Sequence, residues 1–174
     1  MIGLILNNLL TGLLAISMNG SPKYDYIMPD AGLRISFPVM YRDSSWTQQG
    51  KRFYRAWAND GHSEYVVECE EVELLINFKD WSWKTPYDTR LKAFYTKVGA
   101  EKTEESRYDL GKIKGLDAIL NLIQHKETIF YRNVITHGFS YTIYIKQPRG
   151  KLNDDKVQKF RKSFRMIKIR KKTD

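Results

Sequence analysis

The chain has 174 residues, of which 42% are hydrophobic and 13% aromatic, enough to bury one core and unlike a disordered composition. Its formal net charge is +9, and the excess is local: residues 1–145 balance 17 Lys/Arg against 17 Asp/Glu, while residues 146–174 set 12 basic residues against Asp154, Asp155 and Asp174. A single cysteine, Cys69, excludes an intramolecular disulfide, and without a Cys-x-x-Cys pair neither structural zinc nor dithiol redox chemistry has its usual ligands.

Residues 1–18 have the layout of a secretory leader. The run 9–18 is almost continuously apolar, and Ala15 and Ser17 supply a small-x-small cleavage pattern. No Lys or Arg precedes the run, and Asn7 and Asn8 interrupt it, so an uncleaved anchor and an ordinary core helix stay open beside the leader. The run is short for a membrane span, and no cysteine follows it to carry a lipid. The expectation is an exported protein, periplasmic or secreted, of about 150 residues after cleavage, the usual size of one domain. Residues 19–29 read as a linker, 30–169 as a single domain and 170–174 as a basic tail.

Leu33, Ile35 and Phe37 alternate with Arg34 and Ser36, a half-buried strand stopped by Pro38. Residues 41–50 are polar and read as an outward loop. Residues 51–58 and 63–69 form a hairpin around Asn59, Asp60 and Gly61, since Asp-Gly favours a type I′ turn. That register sets Tyr54 opposite Val67 and Ala56 opposite Tyr65. Glu64, Glu68, Glu70, Glu71 and Glu73 make the ribbon acidic, and 74–78 extends it as strand.

The first helix opens at Thr85 as cap, with Pro86 at the first helical position and Asp88 completing a capping-box-like pattern. Tyr87, Leu91, Phe94, Tyr95 and Val98 keep helical spacing, and Gly99 ends it. Residues 107–113 read as a weak strand and Gly115 as a turn. Leu116, Ala118, Leu120 and Leu122 then alternate as a strand running to about Gln124.

Two strand-forming runs, 127–135 and 139–146, flank Thr136, His137 and Gly138. A three-residue loop with Gly last sets Ile135 opposite Phe139, Asn133 opposite Tyr141, Tyr131 opposite Ile143 and Ile129 opposite Ile145. A two-residue loop would pair Arg132 with Ile143, and it is set aside because a one-residue slip turns every side chain over. Phe130, Val134 and Tyr144 make the other face partly apolar, so the sheet is expected to be covered on both sides. The last helix starts at the Asn153 cap with Asp154 and Asp155 in its first turn, and Leu152 and Val157 hold hydrophobic-staple positions. Val157, Phe160 and Phe164 form its buried stripe.

Strand, hairpin, helix, strands and helix in that order give an α+β chain. The expectation is a mostly antiparallel sheet of about six strands flanked by helices near 86–98 and 153–164. The segment LRISFP, the Gly-aromatic strand GFSYTIYI and a closing helix finishing in Ser163 and Phe164 resemble the PsbP-like proteins over about residues 30–168. That family includes the photosystem II extrinsic protein, a Ran-binding nuclear import factor and small exported bacterial proteins. The resemblance implies an antiparallel sheet between helices, an α/β/α sandwich. It transfers no catalytic residues, and it implies action mainly through binding other proteins.

Catalytic patterns are missing. Residues 111–115 lack the length and ending of a phosphate-binding loop, and neither GxSxG nor HExxH occurs. His62, His125 and His137 are scattered, with His62 and His137 beside turns. Glu70 and Glu71 point to opposite faces of a strand. Cys69 alternates with Tyr65 and Val67 as a small buried residue, the nucleophile reading being its alternative. Trp81, Trp83 and Tyr87 are either a partner platform or packing beneath the first helix, and Trp46 is the better exposed aromatic.

The expected function is therefore a non-catalytic, exported binding or accessory protein without cofactor or metal. Lys159, Lys162, Arg165, Lys168, Arg170, Lys171 and Lys172 form its candidate docking surface for an acidic protein or an anionic membrane surface. A solvated helix face with a frayed tail is the plainer account of the same charges. An enzyme using Cys69 or the histidines is one alternative. A nucleic-acid module is another, disfavoured because Phe160 and Phe164 lie on the core stripe and leave no aromatics between the cations.

Overall fold

Strand-forming runs dominate the computed structural model, which describes residues 24–73 and 84–168. In chain order the elements are β1 (Tyr24–Met28), β2 (Leu33–Phe37), β3 (Arg42–Gln48), β4 (Lys51–Asn59), β5 (Glu64–Glu71), α1 (Thr85–Val98), β6 (Ala100–Leu110), β7 (Ile113–Leu122), β8 (Glu127–Thr136), β9 (Phe139–Pro148), α2 (Asp155–Ser163) and β10 (Arg165–Met166). Two meanders, β3-β4-β5 and β9-β8-β7-β6, join through an antiparallel β5–β9 pair into one seven-stranded sheet. A small sheet of order β1-β2-β10 stands apart from it. The class is α+β and antiparallel as expected. The main sheet has seven strands where about six were expected, and a separate three-stranded sheet brings the strands among the described residues to ten.

Both faces of the large sheet are covered, which is why its central strands read as near-continuous apolar runs rather than as clean alternation. On one face Leu116, Leu120, Ile129 and Tyr131 pack against Tyr87 and Leu91 of α1. On the other, Tyr65, Val67, Phe130, Tyr141, Ile143 and Ile145 pack with Leu33, Ile35 and Phe37 of the small sheet and with Val157, Phe160 and Phe164. Each such aromatic or aliphatic side chain contributes about 1.5–3 kcal/mol by leaving water.

Several sequence expectations are corrected. The stretch read as a linker contains β1, whose Tyr26 and Met28 are buried against β2. The polar run read as a loop is β3, an edge strand with all seven residues exposed. An edge facing water on both sides has no apolar alternation to betray it. Gly115 lies inside β7 rather than in a turn, and the reversal falls between Leu110 and Ile113. A Cβ on Gly115 would stand 2.7 Å from the Asn133 carbonyl oxygen, so only glycine fits that close approach. The strand expected over 74–78 lies outside the described residues.

The β8–β9 hairpin turns in two residues, not three. Thr136 pairs with Phe139, Asn133 with Thr142 and Arg132 with Ile143. His137 and Gly138 both take positive φ, 53° and 80°, the pattern of a type I′ turn. Histidine is among the few residues that enter this region readily. Asn133 is thereby fully buried, and its side-chain amide donates to Ser140 Oγ, the Tyr141 carbonyl and Thr142 Oγ1 at 3.0–3.1 Å.

The β4–β5 hairpin also differs, by two residues. Tyr54 pairs with Cys69, Ala56 with Val67 and Asn59 with Glu64, so the faces survive the shift. The loop lengthens because Asp60 Oδ1 accepts from the backbone N–H groups of His62 and Ser63, and Asn59 Oδ1 from that of Gly61.

Both helix starts move by one residue. α1 is capped at Lys84 without a side-chain bond, the Lys84 carbonyl accepting from the N–H groups of Tyr87 and Asp88, while Gly99 closes it in the left-handed region. α2 is capped by Asp154, whose carboxylate accepts from Lys156 N at 2.9 Å, rather than by Asn153. With that cap Leu152 no longer holds a staple position, although it still packs against the core.

Candidate functional site

The site begins with what holds α2 down. Val157, Phe160 and Phe164 are essentially fully buried. The Phe160 ring lies 5.1 Å from Phe37 and 5.2 Å from Tyr65, joining the helix to both sheets. Ser163 Oγ accepts from Ser36 N at 3.0 Å and fixes the helix end to β2. Beneath, Arg132 of β8 donates through Nε and Nη2 to the two oxygens of Asp117 on β7, both at 2.8 Å, and through Nη1 to the Arg161 carbonyl at 2.9 Å. Tyr108 faces that guanidinium 3.5 Å from the ring centroid. The Arg132 and Asp117 side chains are 7% and 13% exposed, so this is an interior ion pair that also grips the helix backbone.

The candidate docking residues occupy the outward side of α2 and the segment after it. Lys159, Lys162, Arg165 and Lys168 are all exposed. Lys159 is paired with Asp155 at 2.5 Å across one helical turn, both side chains in solvent. Arg165 Nη1 donates to the carbonyls of Lys162 and Phe164, closing the helix C-terminus with a cation where the dipole favours one. Among the described residues, Lys162, Arg165 and Lys168 have no carboxylate partner. Arg34 was missed by sequence reasoning. It sits directly opposite Arg165 in the β10–β2 pair, and opposite residues of an antiparallel pair share a face. It bonds Asp25 at 2.6 Å. The register alone exposes this neighbour, since 131 positions separate the two arginines. Arg170, Lys171 and Lys172 lie outside the described residues.

Four of the five glutamates of the acidic ribbon are neutralised in place. Glu64 pairs with Lys146, Glu68 with Arg55, Glu70 with Arg90 and Glu71 with Arg52. Hydrogen bonds from Arg52 hold the Glu71 carboxyl below its ordinary range against a smaller opposing effect of burial. Burial opposes ionisation of Asp60, yet the backbone N–H groups of Ser63 and His62, with Lys156, outweigh it and keep that carboxyl low as well. Other cations without a carboxylate partner are spread over the described residues, whereas Lys162, Arg165 and Lys168 follow one another at and beyond the end of α2.

The other candidates separate. Cys69 is 2% exposed and burial pushes its thiol far up, so the thiolate a nucleophile needs is not favoured there. His62, His125 and His137 are exposed and apart, and no group of three metal-binding side chains forms among the described residues. Trp46 is nearly half exposed on β3, stacked flat on Phe53 at 5.4 Å. Tyr87 is buried under α1 with its hydroxyl donating to the Lys114 carbonyl, which makes it packing rather than platform. Trp81 and Trp83 lie outside the described residues. Among the described residues no helix is long and apolar enough to cross a membrane.

No family model and no curated protein matches the chain. Among solved structures, the cyanobacterial PsbP protein CyanoP from Synechocystis sp. PCC 6803 superposes with a TM-score of 0.61 at 12% identity, over 86% of this chain and 95% of that one. A Pseudomonas aeruginosa protein of unknown function, PA94, gives a TM-score of 0.39 at 9% identity over 75% and 85% of the two chains, too low to carry an argument. The first likeness establishes the fold and, at this identity, nothing of activity or partner: the chain has a PsbP-like α+β architecture.

Proposed function

We propose that this chain is a non-catalytic binding or accessory protein of the cell envelope, exported by its apolar leader. It docks through the basic end of α2 and the segment that follows it. The docking residues are Lys159, Lys162, Arg165, Lys168, Arg170, Lys171 and Lys172, and the counterpart is an acidic protein or an anionic membrane surface. The observation that supports this reading is the contrast in charge pairing: four of the five ribbon glutamates are matched by a cation, while Lys162, Arg165 and Lys168 stand in solvent without a carboxylate among the described residues. The helix beneath them is already fixed by Val157, Phe160 and the Arg132 bond, so packing does not require the cations. The fold it shares with CyanoP is compatible with a binding role.

Docking by exposed cations is screened over a Debye length of about 8 Å at physiological ionic strength, so it weakens steeply with salt. Co-sedimentation of the purified chain with envelope fractions across a salt series tests the reading. A steep fall supports it, and a curve flat in salt counts against it. Protease treatment of the fractions then separates a protein counterpart from a lipid one.

A further inference from the structure

Beside α2, on the flank away from its exposed lysines, a cavity of about 360 Å³ opens between β6, β7, β8 and the loop before the helix. Its floor is apolar: Phe130 is fully buried, and Ile119 and Leu152 complete it. Arg161 enters from α2 with its guanidinium 3.9 Å from the Phe130 ring centroid. Two of the three acids along the wall are already committed. Both Asp117 oxygens accept from Arg132, and Glu105 bonds Lys84 and Lys102, each at 2.5 Å. Among the described residues, no carboxylate, carbonyl or hydroxyl accepts a hydrogen bond from the Arg161 side chain, although its own carbonyl is held by Arg132. A half-buried guanidinium with its donors open, backed by an aromatic ring, is a charge awaiting an acceptor. Burial lowers its pKa below the ordinary arginine value, with the repulsion of Arg132 adding to it and the attraction of Asp117 opposing it.

We infer that this cavity is a binding site for a small organic monocarboxylate. The carboxylate takes paired hydrogen bonds from the planar Arg161 fork, and the apolar body lies over Phe130, Ile119 and Leu152. A monocarboxylate suits the site better than phosphate or sulfate. One unpaired guanidinium offers a single positive charge, and the exposed Glu104 at the rim, together with Asp117, repels a dianion. The site is independent of the docking surface, because Lys162, Arg165 and Lys168 take no part in lining the cavity.

The test is a titration of the full chain with benzoate, followed by backbone amide NMR shifts. Benzyl alcohol serves as the apolar body without charge, and sulfate as charge without the body. Saturable benzoate shifts are expected at Ala118, Ile119, Leu152 and Asn153, with the two controls weak. Arg161→Met keeps the stem and removes the charge, and affinity should fall about tenfold or more, since hydrogen bonds to a charged group are among the stronger ones. Arg161→Lys should fall between. Ser106→Tyr, at an exposed position on the cavity wall, obstructs the space without touching the core and should weaken binding even if the Arg161 variants fold poorly. Absence of saturable shifts, wild-type affinity in folded Arg161→Met or in Ser106→Tyr, or sulfate binding as tightly as benzoate would each overturn the inference.

Discussion

Replacing Asp117 with alanine attacks the point where the sheet holds α2. Asp117 accepts two hydrogen bonds from Arg132, both at 2.8 Å, and the two side chains are only 7% and 13% exposed. Removing the carboxylate leaves the Arg132 charge in the interior with two donors unmatched, and the Arg161 carbonyl and the Tyr108 and Phe130 rings remain to it. Breaking a buried pair from one side costs about 3–5 kcal/mol, a large part of a domain's usual 5–15 kcal/mol or so. With a urea m-value of about 2 kcal/mol/M, the unfolding midpoint should fall by roughly 2 M. Asp117→Asn keeps one acceptor and should lose less. In the double variant Asp117→Leu with Arg132→Met both charges are gone, and much of the loss should return, because an apolar pair of similar volume is often as stable as an interior ion pair. Equilibrium urea unfolding of the four proteins is the assay. An Asp117→Ala protein within about 1 kcal/mol of wild type would place the pair in the class of surface salt bridges and refute the reasoning.

Gly115→Ala should destabilise the chain by about 1–3 kcal/mol through the 2.7 Å approach to the Asn133 carbonyl oxygen, offset by only about 0.4–1 kcal/mol from a stiffer unfolded chain. A thermal midpoint above wild type would contradict the close packing of β7 on β8. Acid should unfold the protein through its depressed carboxyls. Glu71 is held low chiefly by Arg52. At Glu105, burial opposes ionisation, but the hydrogen bonds from Lys102 and Lys84 prevail. A folded-state value below the unfolded one gives stability that is complete above the unfolded carboxyl range, about 4, and lost as pH falls through the folded values. Urea midpoints should therefore be level from about pH 7 to 5 and drop below about pH 4, and a midpoint unchanged at pH 3 would exclude this linkage.

Local chemistry made part of the fold legible. Pro86 and Gly99 bracket α1 because a missing N–H is tolerated at a helix start and a left-handed residue ends it. The buried stripe of α2 follows from 3.6-residue spacing and needs no knowledge of the sheet. The β8–β9 register failed for a non-local reason. In the β8–β9 hairpin both faces are buried, so Ile129 and Tyr131 face α1 while Ile143 and Ile145 face the small sheet, and the apolar pattern could not distinguish one register from its neighbour. Asn133 was expected opposite Tyr141, whereas it pairs with Thr142, is buried and is bonded to three acceptors.

The exposed edge of β3 carried no periodicity to read. At the site, the charge excess was visible as composition. The pairing of Lys159 with Asp155 and the facing of Arg34 and Arg165 follow from helix and sheet geometry. Arg161 is one position from the buried Phe160, and only the tertiary packing of α2 brings it to the cavity beside Phe130.

The central functional claim, docking by the basic end, is tested most directly by reversing Lys159, Lys162 and Lys168 to Glu together. Arg165 is left in place, since its bonds to the helix carbonyls would confound charge with stability. Association with envelope fractions is measured at about 50 mM and about 500 mM salt, where screening lengths are about 14 Å and 4 Å. The account predicts that wild type binds at low salt and releases at high salt. The variant should bind at neither, with an unfolding midpoint moved by no more than the usual surface effect, about 0.5 kcal/mol. A variant that associates like wild type under both conditions would contradict it and reduce the charge to a property of a solvated helix.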